Sequence, residues 1–366
     1  MTITFNEGKV GNIMEKLRGE VDAGLVEFLK DLHFDDEDKS QLFWGIRGGY
    51  VNIYHMGASI AKIKPNCKFK FAAKYHVETK SGYLEWCAEE WMKEYKTLMG
   101  NVRRFQEKYK KYEKIAQQKL ILANNNNSKS SWYCFDMEYK FARESENEPD
   151  YGRFDIFAVS REPYGKKHKI LLIELKYGRS AYKDSLKPEA RMKVFDTNNP
   201  AFNAGSGIVG HVCNYIRYVG CKTRLERLKQ ETVNILSVQK ALGINVPDIE
   251  AAKDNIDDEP IFSIITVGCD GSKKSSIDSC CKSMENYLFE GKNSAEINLK
   301  KTLRVHGIGC IEKEDRGFQI LIKDTAPKKT LPVITLFSEK TLDNLDISEI
   351  FDDNRKSTQY DKVGLS

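Results

Sequence analysis

Lys169-Ile170-Leu171-Leu172-Ile173-Glu174-Leu175-Lys176-Tyr177-Gly178 is the stretch whose reading decides the fold. An apolar run this short, closed by a glycine, reads as a central strand rather than a helix. Side chains alternate faces along a strand, so Glu174 and Lys176 project together while Leu175 points the other way into the core. A carboxylate and an ammonium therefore sit side by side at a strand end. Nineteen residues before Glu174 stands Asp155, on a segment from Arg153 to Val159 that reads as a second strand. A Gly165-Lys166-Lys167 turn brings the two to hairpin distance.

Further outward, Trp132 to Ala142 alternates: Tyr133, Phe135, Met137, Tyr139 and Phe141 share one face, with Asp136, Glu138 and Lys140 on the other. That period predicts a half-buried strand, and the three strands form a meander. Gly205-Ser206-Gly207 then precedes Ile208 to Ile216, whose spacing suits a helix with Ser206 near its N-cap. Helical pattern continues to about Leu242, and Ile261 to Val267 reads as another buried strand after the acidic linker Asp254 to Glu259. Strands are also expected at Phe318 to Ile322 and Leu331 to Phe337.

Upstream, Gly11 to Leu32 has near-helical apolar spacing. Tyr50 to His55, Ser59 to Ile63 and Lys68 to Ala73 read as short antiparallel strands, the first two joined by a Met56-Gly57-Ala58 turn. From Tyr83 to about Leu122 the pattern is a long or broken helical arm, with Gly100 a candidate break. The polar loop Asn124 to Ser131 closes it. The expected organisation is an N-terminal α+β region over 1–123, a core over 130–270, and C-terminal strands with an acidic tail over 271–366. The fold class is α/β, α+β overall, with a mixed central sheet flanked by helices.

Composition sets bounds. The chain has 366 residues and is 40% hydrophobic, enough for a substantial core. No apolar run approaches a bilayer span, and the first residues have no signal-peptide pattern, so a cytoplasmic, membrane-free protein is expected. The nine cysteines are scattered without a CxxC pair and read as reduced, mostly buried thiols. The net charge of +5 is modest. It is unevenly placed: Asn101 to Leu120 holds seven basic residues against two acids.

The carboxylates and the lysine make a chemical set. Hard oxygen donors hold Mg²⁺, with Mn²⁺ as a substitute, and such an ion supports phosphodiester hydrolysis. Asp155 and Glu174 supply two carboxylates and the Leu175 carbonyl a third oxygen. Lys176 orients or activates water and steadies developing charge. Glu138, on the polar face of the adjacent strand, is a fourth candidate, for a second ion or for orienting water.

Asp155 in Gly152-Arg153-Phe154-Asp155, followed by Glu174-Leu175-Lys176, resembles the signature of the PD-(D/E)XK nuclease superfamily, an acid on one strand and E-x-K on the next. The likeness covers roughly Trp132 to Val219. It implies an αβββαβ restriction-endonuclease-like core, divalent-metal dependence and a nucleic-acid substrate, DNA before RNA. A role in bacterial antiviral defence or restriction suits such an endonuclease. Two departures stand out: the family often presents its first acid from a helix, whereas Glu138 falls in a segment read as a strand, and Phe154 replaces the proline expected before the Asp.

Other residues carry two readings each. His211 either touches a scissile phosphate or is a helix residue satisfied by a neighbour. Lys140 and Arg153 either contact phosphate or act as counter-ions to the acids. The basic arm with Arg103, Arg104, Lys108 and Lys111 either follows a phosphate backbone or is a solvated helix with Phe105, Tyr109 and Tyr112 facing the core. Arg47, before Gly48-Gly49, has a weaker claim to a phosphate. The glycine-rich pieces lack the Gly-Lys-Ser/Thr register of an ATPase loop. An exposed E-x-K ion pair contributes little stability, so a surface salt bridge is the plain alternative to an active site. The rival of a different class is a nuclease-like module that binds nucleic acid or a protein without cutting. Double-strand cleavage would call for a homodimer, and no heptads support one.

Overall fold

The computed structural model describes residues 42–47, 50–63, 68–78, 80–138, 153–178, 211, 214–215, 218–219, 221–241, 244–249, 253–268, 295–298, 303–305, 309–311, 317–322, 329–338 and 345–347. The expected opening helix, the 205–207 glycine segment and Lys140 lie outside them.

Leu42–Arg47 (β1), Tyr50–His55 (β2), Ala58–Ile63 (β3), Phe69–Ala72 (β4) and Tyr83–Trp86 (β5) form an antiparallel sheet in sequence order. The β2–β3 connection is a two-residue turn with positive φ at Met56 (48°) and Gly57 (73°). Left-handed turns of this kind match the twist of a hairpin. Glycine is needed at 57 for a second reason: a Cβ there would lie 2.0 Å from the Lys114 carbonyl oxygen. The hairpin tip is also gripped by side chains, with Gln106 Nε2 donating to the Met56 carbonyl and the Gly57 N–H donating to Gln118 Oε1.

Two elements here depart from the sequence expectation. β1 carries no sequence signature, since all six of its residues are buried and no alternation marks it. Tyr83 to Trp86 is not the start of the helical arm but β5, paired with β4; its exposure alternates with period two. The helix starts afterwards, where the Cys87 N–H donates to Glu90 Oε2 at 2.8 Å.

The arm is Ala88–Lys108 (α1) followed by Tyr112–Asn125 (α2). Gly100 is inside α1, and the break falls instead at Lys110, whose φ is 48°. α2 then packs on the next strands rather than extending into solvent.

Trp132–Met137 (β6), Ile156–Ser160 (β7) and Ile170–Tyr177 (β8) make the expected antiparallel meander. Lys222–Ala241 (α3) leads to Ile261–Val267 (β9), which runs parallel to β8. Then come Ala295–Asn298 (β10), Leu303–Val305 (β11), Gly309–Ile311 (β12), Gly317–Ile322 (β13) and Lys329–Ser338 (β14). The larger sheet has the order β10-β13-β14-β9-β8-β7-β6, with β14 parallel to β9 and its remaining outer pairs antiparallel. β11 and β12 pair separately. From α2 onward the elements named here run helix, three antiparallel strands, helix, then a strand parallel to the third. Overall it is a mixed α and β protein with two principal sheets.

Burial explains where the meander departs from its expected form. Every residue of β6, β7 and β9 is buried, as in sheets covered on both faces. β6 therefore has no polar face, and it ends at Met137 rather than Ala142. Asp136 is fully buried and held by Arg47, whose Nη1 lies 2.6 Å from Oδ1 and whose Nη2 donates to the Met137 carbonyl at 2.9 Å. This pair fastens β1 to β6 and occupies the arginine weighed as a phosphate ligand. β7 begins at Ile156, one residue after Asp155.

The core joins segments remote in sequence. Leu120, Ile121, Cys134, Ile156, Leu171, Ile173, Ile265 and Leu345 lie in one apolar cluster. Asn124 on α2 holds the far segment, donating to the Leu345 carbonyl and accepting from the Ile347 N–H. α2 straddles the expected boundary at 123 and packs on β6 and β8, while β14, beyond 271, is paired with β9.

Candidate active site on β7 and β8

Backbone pairing brings the two acids together. The Asp155 N–H donates to the Ile173 carbonyl at 3.1 Å, just past the last β7–β8 pair, Ile156–Ile173, and this holds Asp155 beside the Glu174 end of β8. Asp155 Oδ2 then accepts the Leu175 N–H at 2.8 Å. The Leu175 side chain is fully buried, as its place on the strand predicts.

Glu174 is 1% exposed. Its Oε1 takes the Lys176 ammonium and lies 3.0 Å from His211 Nε2. Its Oε2 is buried without a hydrogen-bond partner among the described residues. Lys176 is itself buried, and its Nζ is 3.8 Å from Glu113 Oε1, near the start of α2. Four groups expected from sequence or brought in by the fold thus surround Glu174: Asp155, Lys176, His211 and Glu113.

The electrostatics divide the carboxylates. Burial pushes the Asp155 carboxyl well above the usual aspartate range, and the neighbouring Glu174 charge pushes it further. Burial acts the same way on Glu174, but His211 and Lys176 together reverse it and leave that carboxyl below its ordinary value. Glu113 is raised, chiefly by burial, against the pull of Lys176. Lys176 is raised despite burial, by Glu174, Asp155 and Glu113. The surroundings thus favour the anion at Glu174 and shift Asp155 and Glu113 toward their protonated forms.

Glu138 is placed differently from the sequence expectation. It lies just past β6 in a left-handed conformation, φ 49°, which a non-glycine residue adopts only when its surroundings hold it there. Its carboxylate engages Lys114 Nζ at 2.8 Å and stands 4.0 Å from Arg153 Nη1. It lines a neighbouring cleft, along with Arg153 and Lys111. Arg103, Arg104 and Lys108 are exposed on α1, Arg104 bonded to Asn101 and Lys108 to Glu78. Phe105 meets Tyr75 edge-on, whereas Tyr109 and Tyr112 are exposed, 47% and 37%.

Glu113 is the site residue that the sequence pattern hides, where it is only an acid within a basic arm. No local pattern marks it; α2, the helix before the meander, carries it to within 3.8 Å of Lys176.

Among the described residues, no group of three or more His, Cys, Asp or Glu side chains is gathered to hold a metal. A divalent hard cation needs fewer: Mg²⁺ is commonly held by one or two carboxylates, with waters and substrate phosphate completing its shell. Asp155 and Glu174 meet that requirement, and the bare Glu174 Oε2 is a buried oxygen in need of a cation or donor. Cys134 (buried), Cys221 (partly buried) and Cys87 (exposed) are thiols rather than disulfides. No described helix is long and apolar enough to cross a membrane. The chain matches no protein-family model, no curated protein and no solved structure.

Proposed function

We propose that this chain is a metal-dependent nuclease with a PD-(D/E)XK-like core, hydrolysing phosphodiester bonds in nucleic acid, DNA in preference to RNA. The observation that carries the reading is Asp155, fastened to the Leu175 N–H, beside the buried Glu174, whose one oxygen takes Lys176 while the other has no hydrogen-bond partner among the described residues. The αβββαβ order of α2, β6 to β8, α3 and β9 supports it.

Asp155 and Glu174 would hold Mg²⁺ or Mn²⁺, which when bound supplies Lewis-acid stabilisation to a phosphate. Glu174 is kept ionised by Lys176 and His211, so an anionic oxygen is ready in an apolar setting. Lys176 places an ammonium beside both carboxylates, where it orients an attacking water and offsets charge developing on phosphate. Glu113 steadies that ammonium from the helix side. The cytoplasm is the proposed compartment.

The rival reading, a nuclease-like module that binds without cutting, draws on the absence of a three-ligand cluster among the described residues. One experiment separates them. Plasmid, linear duplex, single-stranded DNA and RNA are incubated with the protein in Mg²⁺, Mn²⁺ or EDTA, beside Lys176→Ala. Metal-dependent cutting that the variant lacks is expected; no cutting under any condition would favour the binding module.

A further inference from the structure

Next to the acid cluster lies a cleft of about 570 Å³, built on β2, β3 and β4 and walled by α1 and the start of α2. Its lining is one-sided in charge. Lys62, Lys70, Lys74, Lys111, Lys114 and Arg153 face it along with Arg47, against the single carboxylate of Glu138. Arg47 is neutralised by Asp136, and Lys114 by Glu138. Lys62, Lys70, Lys74 and Lys111 form no ion pair with any described residue.

Aromatic rings alternate with these ammonium groups. Lys62 Nζ stands 5.1 Å from the Tyr50 ring, Lys70 4.9 Å from Tyr83, and Lys74 5.0 Å from Tyr75 and 4.9 Å from Phe105. Tyr83 is 63% exposed, an open ring face among cations.

The sheet register adds an independent sign. Lys62 and Lys70 are directly opposite each other on β3 and β4. Like charges in that position repel and destabilise a sheet. Glu85, opposite Lys70 on its other side, pairs instead with Lys68 at 3.2 Å. A polyanion in the cleft would relieve the repulsion.

Two backbone links run from the cleft to the acids. Glu113 and Lys114 are consecutive on α2, one at Lys176 and the other at Glu138. The Glu138 N–H donates to the Asp155 carbonyl at 2.8 Å. The cleft and the acid cluster are therefore neighbours across a single residue step.

We infer that the cleft binds a single strand of nucleic acid, its phosphates on the lysines and its bases on the tyrosine rings, and leads that strand to Asp155 and Glu174. A basic groove with interleaved aromatics is the physical form of single-strand recognition. At about 570 Å³ the cleft is a pocket's size, room for a few nucleotides. This deepens the nuclease reading and rests on it for the cutting step, but the binding itself does not.

The test is fluorescence anisotropy of labelled short oligothymidylate, oligouridylate and a matched duplex, with the full chain in EDTA so that nothing is cut. Wild type is expected to bind a single strand at least about tenfold more tightly than duplex, since the faces of paired bases are already stacked in the duplex. Lys70→Ala with Lys74→Ala should weaken binding roughly tenfold and lower the log–log salt slope by about 1.4, the loss of two phosphate contacts. Tyr83→Ala should weaken it about tenfold without changing the slope. Arg104→Ala, on the exposed α1 face, should bind as wild type. Cleft variants that bind normally, a duplex that binds better, or displacement of the oligonucleotide by stoichiometric ATP would each overturn the inference. If the cleft variants lose binding while no condition yields cutting, the inference stands and the nuclease reading fails. Cutting of single strands with unchanged KM in Lys70→Ala, Lys74→Ala protein would overturn the inference and leave the nuclease reading standing.

Discussion

His211 Nε2 lies 3.0 Å from Glu174 Oε1, the oxygen that the Lys176 ammonium also grips, so both donors converge on one side of a buried carboxylate. On the proposed reading the other oxygen takes a cation. Mg²⁺ or Mn²⁺ at about a hundred times its Kd should add about 2.7 kcal/mol of stability, read as a rise in Tm. Glu174→Gln, which keeps the shape and removes the charge, should abolish the rise. An equal rise in wild type and variant would place the metal elsewhere.

Asp155 gives a pH dependence. Its carboxyl is raised in the folded protein, so the fold binds that proton more tightly than the unfolded chain does. The associated stability is present below the ordinary aspartate value of about 3.9 and is lost as pH rises toward the folded value. Asp155→Asn should flatten this part of the metal-free stability curve, measured by urea midpoints across pH. Metal should bind more tightly as pH rises, because the cation favours the ionised form.

The meander, the β8 pair Glu174 and Lys176, and β9 are legible in the sequence because a central strand shows itself as an aliphatic run bounded by turns. Asp155 is legible through its distance to that run. β6 is only partly so: an alternating sequence signals one wet face, yet Asp136 is buried against Arg47 from a strand 89 residues away, a pairing no local pattern encodes. β5 shares its aromatic and acidic residues with an amphipathic helix start, and only pairing with β4 settles it. Glu113, which no sequence pattern singled out, stands at Lys176, while Glu138, the expected fourth acid, pairs with Lys114, for the same reason. Which acid faces Lys176 depends on how α2 docks, and docking is set by contacts such as Gly57 against Lys114.

Glu113→Gln should lower the cutting rate on the order of a hundredfold, the cost of letting Lys176 shift by about an ångström. Glu113 acts through Lys176, so the variant should alter the pH profile of kcat and leave metal-induced stabilisation largely intact. A variant that instead loses the metal response would make Glu113 a ligand.

Gly57→Ala places a Cβ 2.0 Å from the Lys114 carbonyl at a φ of 73°. A loss of at least about 2 kcal/mol is expected, from left-handed strain plus displacement of α2. The urea midpoint measures it, and a change under about 0.5 kcal/mol would mean that the hairpin does not hold this helix in place.

Asp136→Ala takes the carboxylate away from the buried Arg47 guanidinium, at a cost of about 3–5 kcal/mol. Burial pushes the Asp136 carboxyl up to about 6, with Arg47 pulling against it, so the pair is charged at neutral pH. Arg47→Met combined with Asp136→Leu should recover most of the loss in the same unfolding measurement, since an apolar pair has no charge to strand.

β9 lies mid-sheet, flanked by β8 from earlier in the chain and by β14 from residues 329–338. A ribosome delivers these neighbours far apart in time. When β9 emerges, one whole side of it is an unpaired template of amide and carbonyl groups, and it stays so until the last long strand is synthesised. The nascent chain is therefore open to aggregation at the very strand that backs its acid cluster, and a product cut short before β14 would carry the complete Asp155, Glu174 and Lys176 signature on an unfinished sheet.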